Sequence, residues 1–165
     1  MRTLFLFILC FFLYGHVNSQ QMTPERLTEL IAQESDTMSI RGNSIQFLFA
    51  ETMLVCIYDE NANRMRIISP IVEREQLEEE ALLNAMVANF HTALDVKYAL
   101  SDEIIWSVFI HPLKELSEHQ VIDAIHQVHA AAVTFGTSYS STNLTFPGNT
   151  NKKQKPEVPK TLKKT

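Results

Sequence analysis

The chain has 165 residues, 45% apolar and 20% charged, with a mean hydropathy of −0.05, which places it among globular chains rather than disordered or collagen-like ones. Only 4 Gly and 2 Cys argue against a glycine-rich phosphate loop, a four-thiolate zinc site or a disulfide framework. A formal net charge of −5 argues against nucleic acid as the main partner, because neutralising phosphates needs a basic face.

The first nineteen residues read as a secretory signal peptide. Arg2 is followed by an apolar block from Leu4 to Tyr14, then by Val17-Asn18-Ser19 as a small-residue cleavage site. That block is too short to span a bilayer, which takes roughly 20 residues, so no integral membrane segment is expected after cleavage. The protein is therefore expected to be exported, periplasmic or secreted. The mature chain keeps one cysteine, Cys56, inside the apolar run Met53 to Tyr58; it cannot bridge within its own chain, so it is either buried and inert, the expected outcome, or paired between two molecules.

Thr23-Pro24-Glu25 has the marks of a helix start, with Thr as N-cap and Pro at the first helical position. Leu27, Leu30 and Ile31 give that helix one narrow apolar face. Arg41-Gly42-Asn43 breaks the pattern, and Ile45–Phe49, Met53–Tyr58 and Arg64–Ile68 then predict a three-stranded antiparallel meander that Pro70 ends. A second helix is expected over Glu73–Leu94, its core face formed by Leu82, Leu83, Met86, Phe90, Ala93 and Leu94. Two strands follow, Val96–Leu100 and Ile104–Ile110. Ser117 then caps a third helix with Val121, Ile125, Val128 and Ala132 on one stripe, ending at Gly136.

Residues 137–165 lose apolar periodicity and read as a disordered, lysine-rich tail. Counting charge by segment separates a body, residues 20–136, with seven Lys or Arg against eighteen Asp or Glu (net −11), from a tail with six Lys against Glu157 (net +5). The organisation expected is a signal peptide over 1–19, one domain over 20–136 and a tail over 137–165.

No residue pattern specifies a reaction. His119, Asp123, His126 and His129 share three turns of the third helix, but His119 and His126 lie about 10 Å apart along its axis, too far for one zinc ion. His126 with His129 or Asp123 makes only a partial surface site. His91 and His111 lack a sequence-local nucleophile and carboxylate, and Glu78-Glu79-Glu80 spreads over about 200° of helix surface. No metal, no cofactor and no catalytic residue is expected.

The strands are unusually apolar. Met53-Leu54-Val55-Cys56-Ile57-Tyr58 has no polar member, so both sides of that strand call for burial. Helices can cover one face of a five-stranded sheet, which leaves the other for a second subunit or an extended ligand. Val55, Ile57, Trp106 and Phe109 are the candidate partner-binding residues. An acidic rim would favour a basic or unfolded partner.

The order helix, three strands, helix, two strands, helix resembles the YbjN-like family, whose fold is that of the class I type III secretion chaperones. The stretch Asn89-Phe90-His91-Thr92-Ala93-Leu94-Asp95-Val96-Lys97-Tyr98-Ala99-Leu100, followed by Trp106-Ser107-Val108-Phe109-Ile110-His111-Pro112-Leu113, looks like the segment that ends the second helix and forms the last hairpin in those proteins. The resemblance implies an α+β fold with a five-stranded antiparallel sheet and three helices. It also implies a small acidic homodimer that holds an extended or partly unfolded polypeptide, without enzymatic activity. Export does not fit a cytoplasmic secretion chaperone. The alternatives are an extracytoplasmic metal-dependent or hydrolytic enzyme, and an envelope-associated structural protein tethered by its basic tail.

Overall fold

The computed structural model describes residues 21–142, so the expected signal peptide and the lysines of the tail lie outside the described residues. The first helix, α1 (Pro24–Glu34), starts as its sequence dictates: the Thr23 hydroxyl accepts from the Arg26 N–H at 3.2 Å, and Pro24 needs no donor at that position. It buries Leu27, Leu30 and Ile31.

Six strands follow rather than five, namely β1 (Thr37–Arg41), β2 (Ser44–Phe49), β3 (Thr52–Asp59), β4 (Arg64–Glu73), β5 (Lys97–Ser101) and β6 (Ile104–His111). They form one antiparallel sheet in the order β1-β2-β3-β4-β6-β5. The added strand is β1, an edge strand whose five residues are all exposed. With only Met38 and Ile40 as apolar members, it carries too short an alternation to separate it from a loop. Gly42, at φ +58°, makes the turn into β2.

Strand β4 runs past Pro70 instead of ending there. The register shifts between Pro70 and Val72, and such a bulge is one of the few places a sheet tolerates proline.

Helix α2 (Glu79–His91) is shorter than expected, preceded by a 3₁₀ turn over Arg74–Gln76, and is rotated about its axis so that most of the expected core face is outside, while Glu80 and Asn84 stay exposed as expected. Ala85 and Ala88 are buried, whereas Leu83, Met86, Val87 and Phe90 are exposed. The small residues let α2 approach β5 closely; the large ones are left on the outside.

Helix α3 (Glu118–Thr134) opens on a capping box between Ser117 and Gln120 and lays Val121, Ile125 and Val128 across β3, β4 and β6. Its helical geometry ends at Thr134, two residues before Gly136, which sits at φ +80°. Residues 137–142, expected to lack structure, pack onto the body. Tyr139 makes ring contacts with Tyr98 and Phe135, and the buried Ser141 hydroxyl donates to the Ala93 carbonyl at 2.8 Å.

The core therefore lies between α1 and α3 and one face of the sheet. Ile45, Phe47, Leu54, Cys56, Met65, Ile67, Tyr98 and Phe109 point into it. Two hydroxyls buried there are satisfied by carbonyls, Ser69 by Met53 at 2.8 Å and Ser107 by Val128 at 2.9 Å.

Candidate functional site

Because side chains alternate along a strand, the residues between these core positions stand on the other face of the sheet. In register across the strands they form the rows Ser44, Ile57, Arg66, Ile110 and Gln46, Val55, Ile68, Val108, Lys97. Met53 stands opposite Leu48, and Trp106 stands between Pro70 and Ala99. α1 and α3 pack against the opposite side of the sheet, so among the described residues no helix covers this one. Ile110 is 63% exposed and Met53 54% exposed, while Val55, Ile57, Ile68, Trp106 and Val108 are half-buried by their neighbours. The result is a contiguous apolar surface, larger in kind than the scattered exposed residues of ordinary surfaces.

Of the candidate partner-binding residues, the structure brings Val55, Ile57 and Trp106 together on this open face. Phe109 is not with them. It is three residues from Trp106, an odd spacing that puts the two rings on opposite sides of β6, and at 7% exposure it belongs to the core, stacked on His111. Met53, Ile68, Val108 and Ile110 complete the face without being among those candidates, although the alternation within β3, β4 and β6 carries the signal that would have found them. The Trp106 indole N–H donates to the Ser101 carbonyl at 3.1 Å, which fixes the ring at the β5–β6 end.

A second apolar surface is the outer side of α2, where Phe90 is 84% and Met86 69% exposed, flanked by Leu83 and Val87. The helix is pinned to β5 by Asn89, whose side-chain amide accepts from the Tyr98 N–H at 2.7 Å and donates to the Tyr98 carbonyl at 3.1 Å. That contact closes the β5 edge, since these are the groups a further strand would use. The β1 edge has no such cover among the described residues.

The histidines do not converge. His119 is exposed, His126 lies 3.5 Å from the Glu34 carboxylate, and the His129 Nδ1 is 2.9 Å from the Thr52 hydroxyl. Phe49 lies edge-on to both His126 and His129, with ring centroids 4.9 and 5.3 Å apart. Burial and the neighbouring His126 hold the His129 imidazole below its ordinary value of 6.5. Both histidines line an open groove of about 600 Å³ beside α3, where Asp123 already accepts from Gln127 at 2.7 Å. His111 is held by the Pro112 carbonyl at 2.8 Å, and His91 packs on Phe90. No group of three or more His, Cys, Asp or Glu side chains able to hold a metal occurs among the described residues. Cys56 is fully buried as a free thiol, and desolvation pushes it up to about 12, a setting that favours the neutral thiol. No helix among the described residues is long and apolar enough to cross a membrane.

This arrangement of three helices and an antiparallel sheet is a type III secretion chaperone-like fold. A chain in a structure of the HopA1–SchA chaperone–effector complex superposes with a TM-score of 0.53 at 10% identity, over 66% of this chain and 88% of that one. The structure of the Yersinia pestis type III secretion chaperone SycH in complex with a stable fragment of YscM2 matches with a TM-score of 0.53 at 13% identity, over 68% of this chain and 99% of that one. No family model and no curated protein matches the sequence.

Proposed function

We propose that this protein is a non-enzymatic, chaperone-like module that holds an extended or partly unfolded polypeptide against the open face of its sheet. The observation that carries the reading is the contiguous apolar surface of Met53, Val55, Ile57, Ile68, Trp106, Val108 and Ile110, left uncovered by the helices. Covering it would release about 25 cal/mol for each Å² of apolar area removed from water, before the cost of ordering the partner is subtracted. The fold's likeness to chaperones solved with polypeptide partners supports the same reading. So does the resemblance of Asn89–Leu100 and Trp106–Leu113 to YbjN-like proteins.

A homodimer and export are parts of this proposal. The outer side of α2, with Leu83, Met86, Val87 and Phe90, is the surface on which a second copy would pack, leaving the sheet face free for the polypeptide. Residues 1–19 would direct the chain out of the cytoplasm, where the protein would shield exported rather than cytoplasmic clients.

The test is site-specific photocrosslinking to an unfolded, soluble polypeptide. A photoreactive residue at Ile110, on the open face, is expected to give adducts. The same residue at His119, on the helix side, is expected to give none. Equal labelling from both positions would remove the proposed surface.

A further inference from the structure

The described part of the chain is acidic, yet its charges are segregated. Of its seven cationic side chains, four (Arg41, Arg64, Arg66 and Lys97) stand at outward positions of the open sheet face, and all four are exposed. Of its eighteen carboxylates only Asp59 and Glu73 occupy such positions. Arg66 lies in the middle of the apolar surface, between Ile57 and Ile110, and Lys97 borders Val108 at the β5 side. Arg41 shares the Arg66 row, three strands away, or about 14 Å. Neither Arg41 nor Arg66 has an ion-pair partner among the described residues, whereas Arg26, on the helix side, is held by Glu29 and Glu118. Lys97 is engaged by the Leu94 carbonyl and Arg64 by the Asn63 carbonyl, neither by an acid.

We infer that the polypeptide seated on this face is an acidic one, with carboxylate side chains interleaved among its apolar residues. The inference rests on the polypeptide-holding reading and reverses the preference that the overall net charge suggests. An acidic segment would set its apolar side chains on Val55, Ile68 and Val108 and its carboxylates against Arg66, Arg41 and Lys97. A basic segment would meet uncompensated cations in the centre of the surface and find its counter-charges elsewhere. An anionic bilayer would offer these cations its headgroups but no extended chain to lie along the half-buried row of Val55, Ile68 and Val108. A short acidic segment with interleaved apolar residues supplies both.

The chain's single tryptophan is Trp106, so its emission reports occupancy of this face directly. The full chain is titrated at low ionic strength with two peptides of the same alternating pattern, one Val-Glu and one Val-Lys, and separately with vesicles of anionic phospholipid. The Val-Glu peptide is expected to shift Trp106 emission to the blue saturably. Its advantage over Val-Lys is expected to be about tenfold, from several exposed pairs each worth about two- to fivefold, and to shrink on adding salt. Arg66→Ser is expected to reduce that advantage and Arg66→Glu to abolish it. Equal binding of the two peptides, or tighter binding of Val-Lys, overturns the charge preference while leaving polypeptide holding intact. A Trp106 response to neither peptide overturns both readings, and a response to vesicles alone overturns the inference in favour of a lipid surface.

Discussion

The side-chain amide of Asn89 occupies both hydrogen-bonding groups of the Tyr98 backbone, at 2.7 and 3.1 Å, and so stands in for the strand that would otherwise extend the sheet at β5. Helix α2 is held there by one amide and two buried alanines, and this is why its large apolar residues face outward. Replacing Asn89 by Ala leaves a partly buried N–H and carbonyl without partners. The expected loss of stability is about 1–3 kcal/mol by urea denaturation, with increased hydrogen exchange at Tyr98.

Phe90 contributes almost nothing to the folded monomer, since most of its surface is in water. At a protein concentration low enough to keep the parent monomeric, Phe90→Ser, alone or with Met86→Ser, is expected to leave the unfolding free energy in urea within about 0.5 kcal/mol of the parent, as exposed substitutions do. The same change is expected to convert the proposed dimer to a monomer by sedimentation. An unchanged sedimentation coefficient would separate α2 from the oligomer.

The β2–β3 turn is strained. Ala50 and Glu51 both adopt the left-handed region, at φ +46° and +65°, a conformation that Asn-Gly adopts with much less penalty. Exchanging Ala50-Glu51 for Asn-Gly is expected to raise stability by about 1–2 kcal/mol in chemical denaturation without altering the fold.

His129 gives stability a pH dependence whose sign is fixed by its environment. Its imidazole binds a proton less readily in the folded protein than in the unfolded chain, because of burial first and His126 second. The unfolded state thus takes up more protons as the pH falls below 6.5, and stability is lost in that direction. Urea midpoints of the parent are expected to fall from about pH 8 to about pH 5, and the slope to be smaller in His129→Gln.

Much of the architecture was readable in the residues that punctuate it. Thr23-Pro24 and Ser117 with Gln120 fix two helix starts through their own side chains, and the β2–β4 meander and β5–β6 hairpin follow from dense β-branched and aromatic runs. Three features were not readable, for physical reasons. Strand β1 buries nothing, so no core requirement imprints on its sequence. Pro70 breaks most strands, and only the bulge beside it lets β4 continue. In α2 periodicity identifies the apolar face, but it does not say that this face looks outward while Ala85 and Ala88 look in. The open sheet face was legible from the all-apolar β3, whereas the segregation of Arg41, Arg64, Arg66 and Lys97 onto it emerges only from strand register.

The central claim is that the uncovered sheet face, and no other surface, holds a polypeptide. The most direct measurement is titration calorimetry of an unfolded polypeptide into the parent and into the Val55→Asp, Val108→Asp double variant, with thermal unfolding as the check that both are folded. The account predicts binding to the parent with a negative heat-capacity change and loss of that binding in the folded double variant. Equal affinity for parent and variant would contradict it.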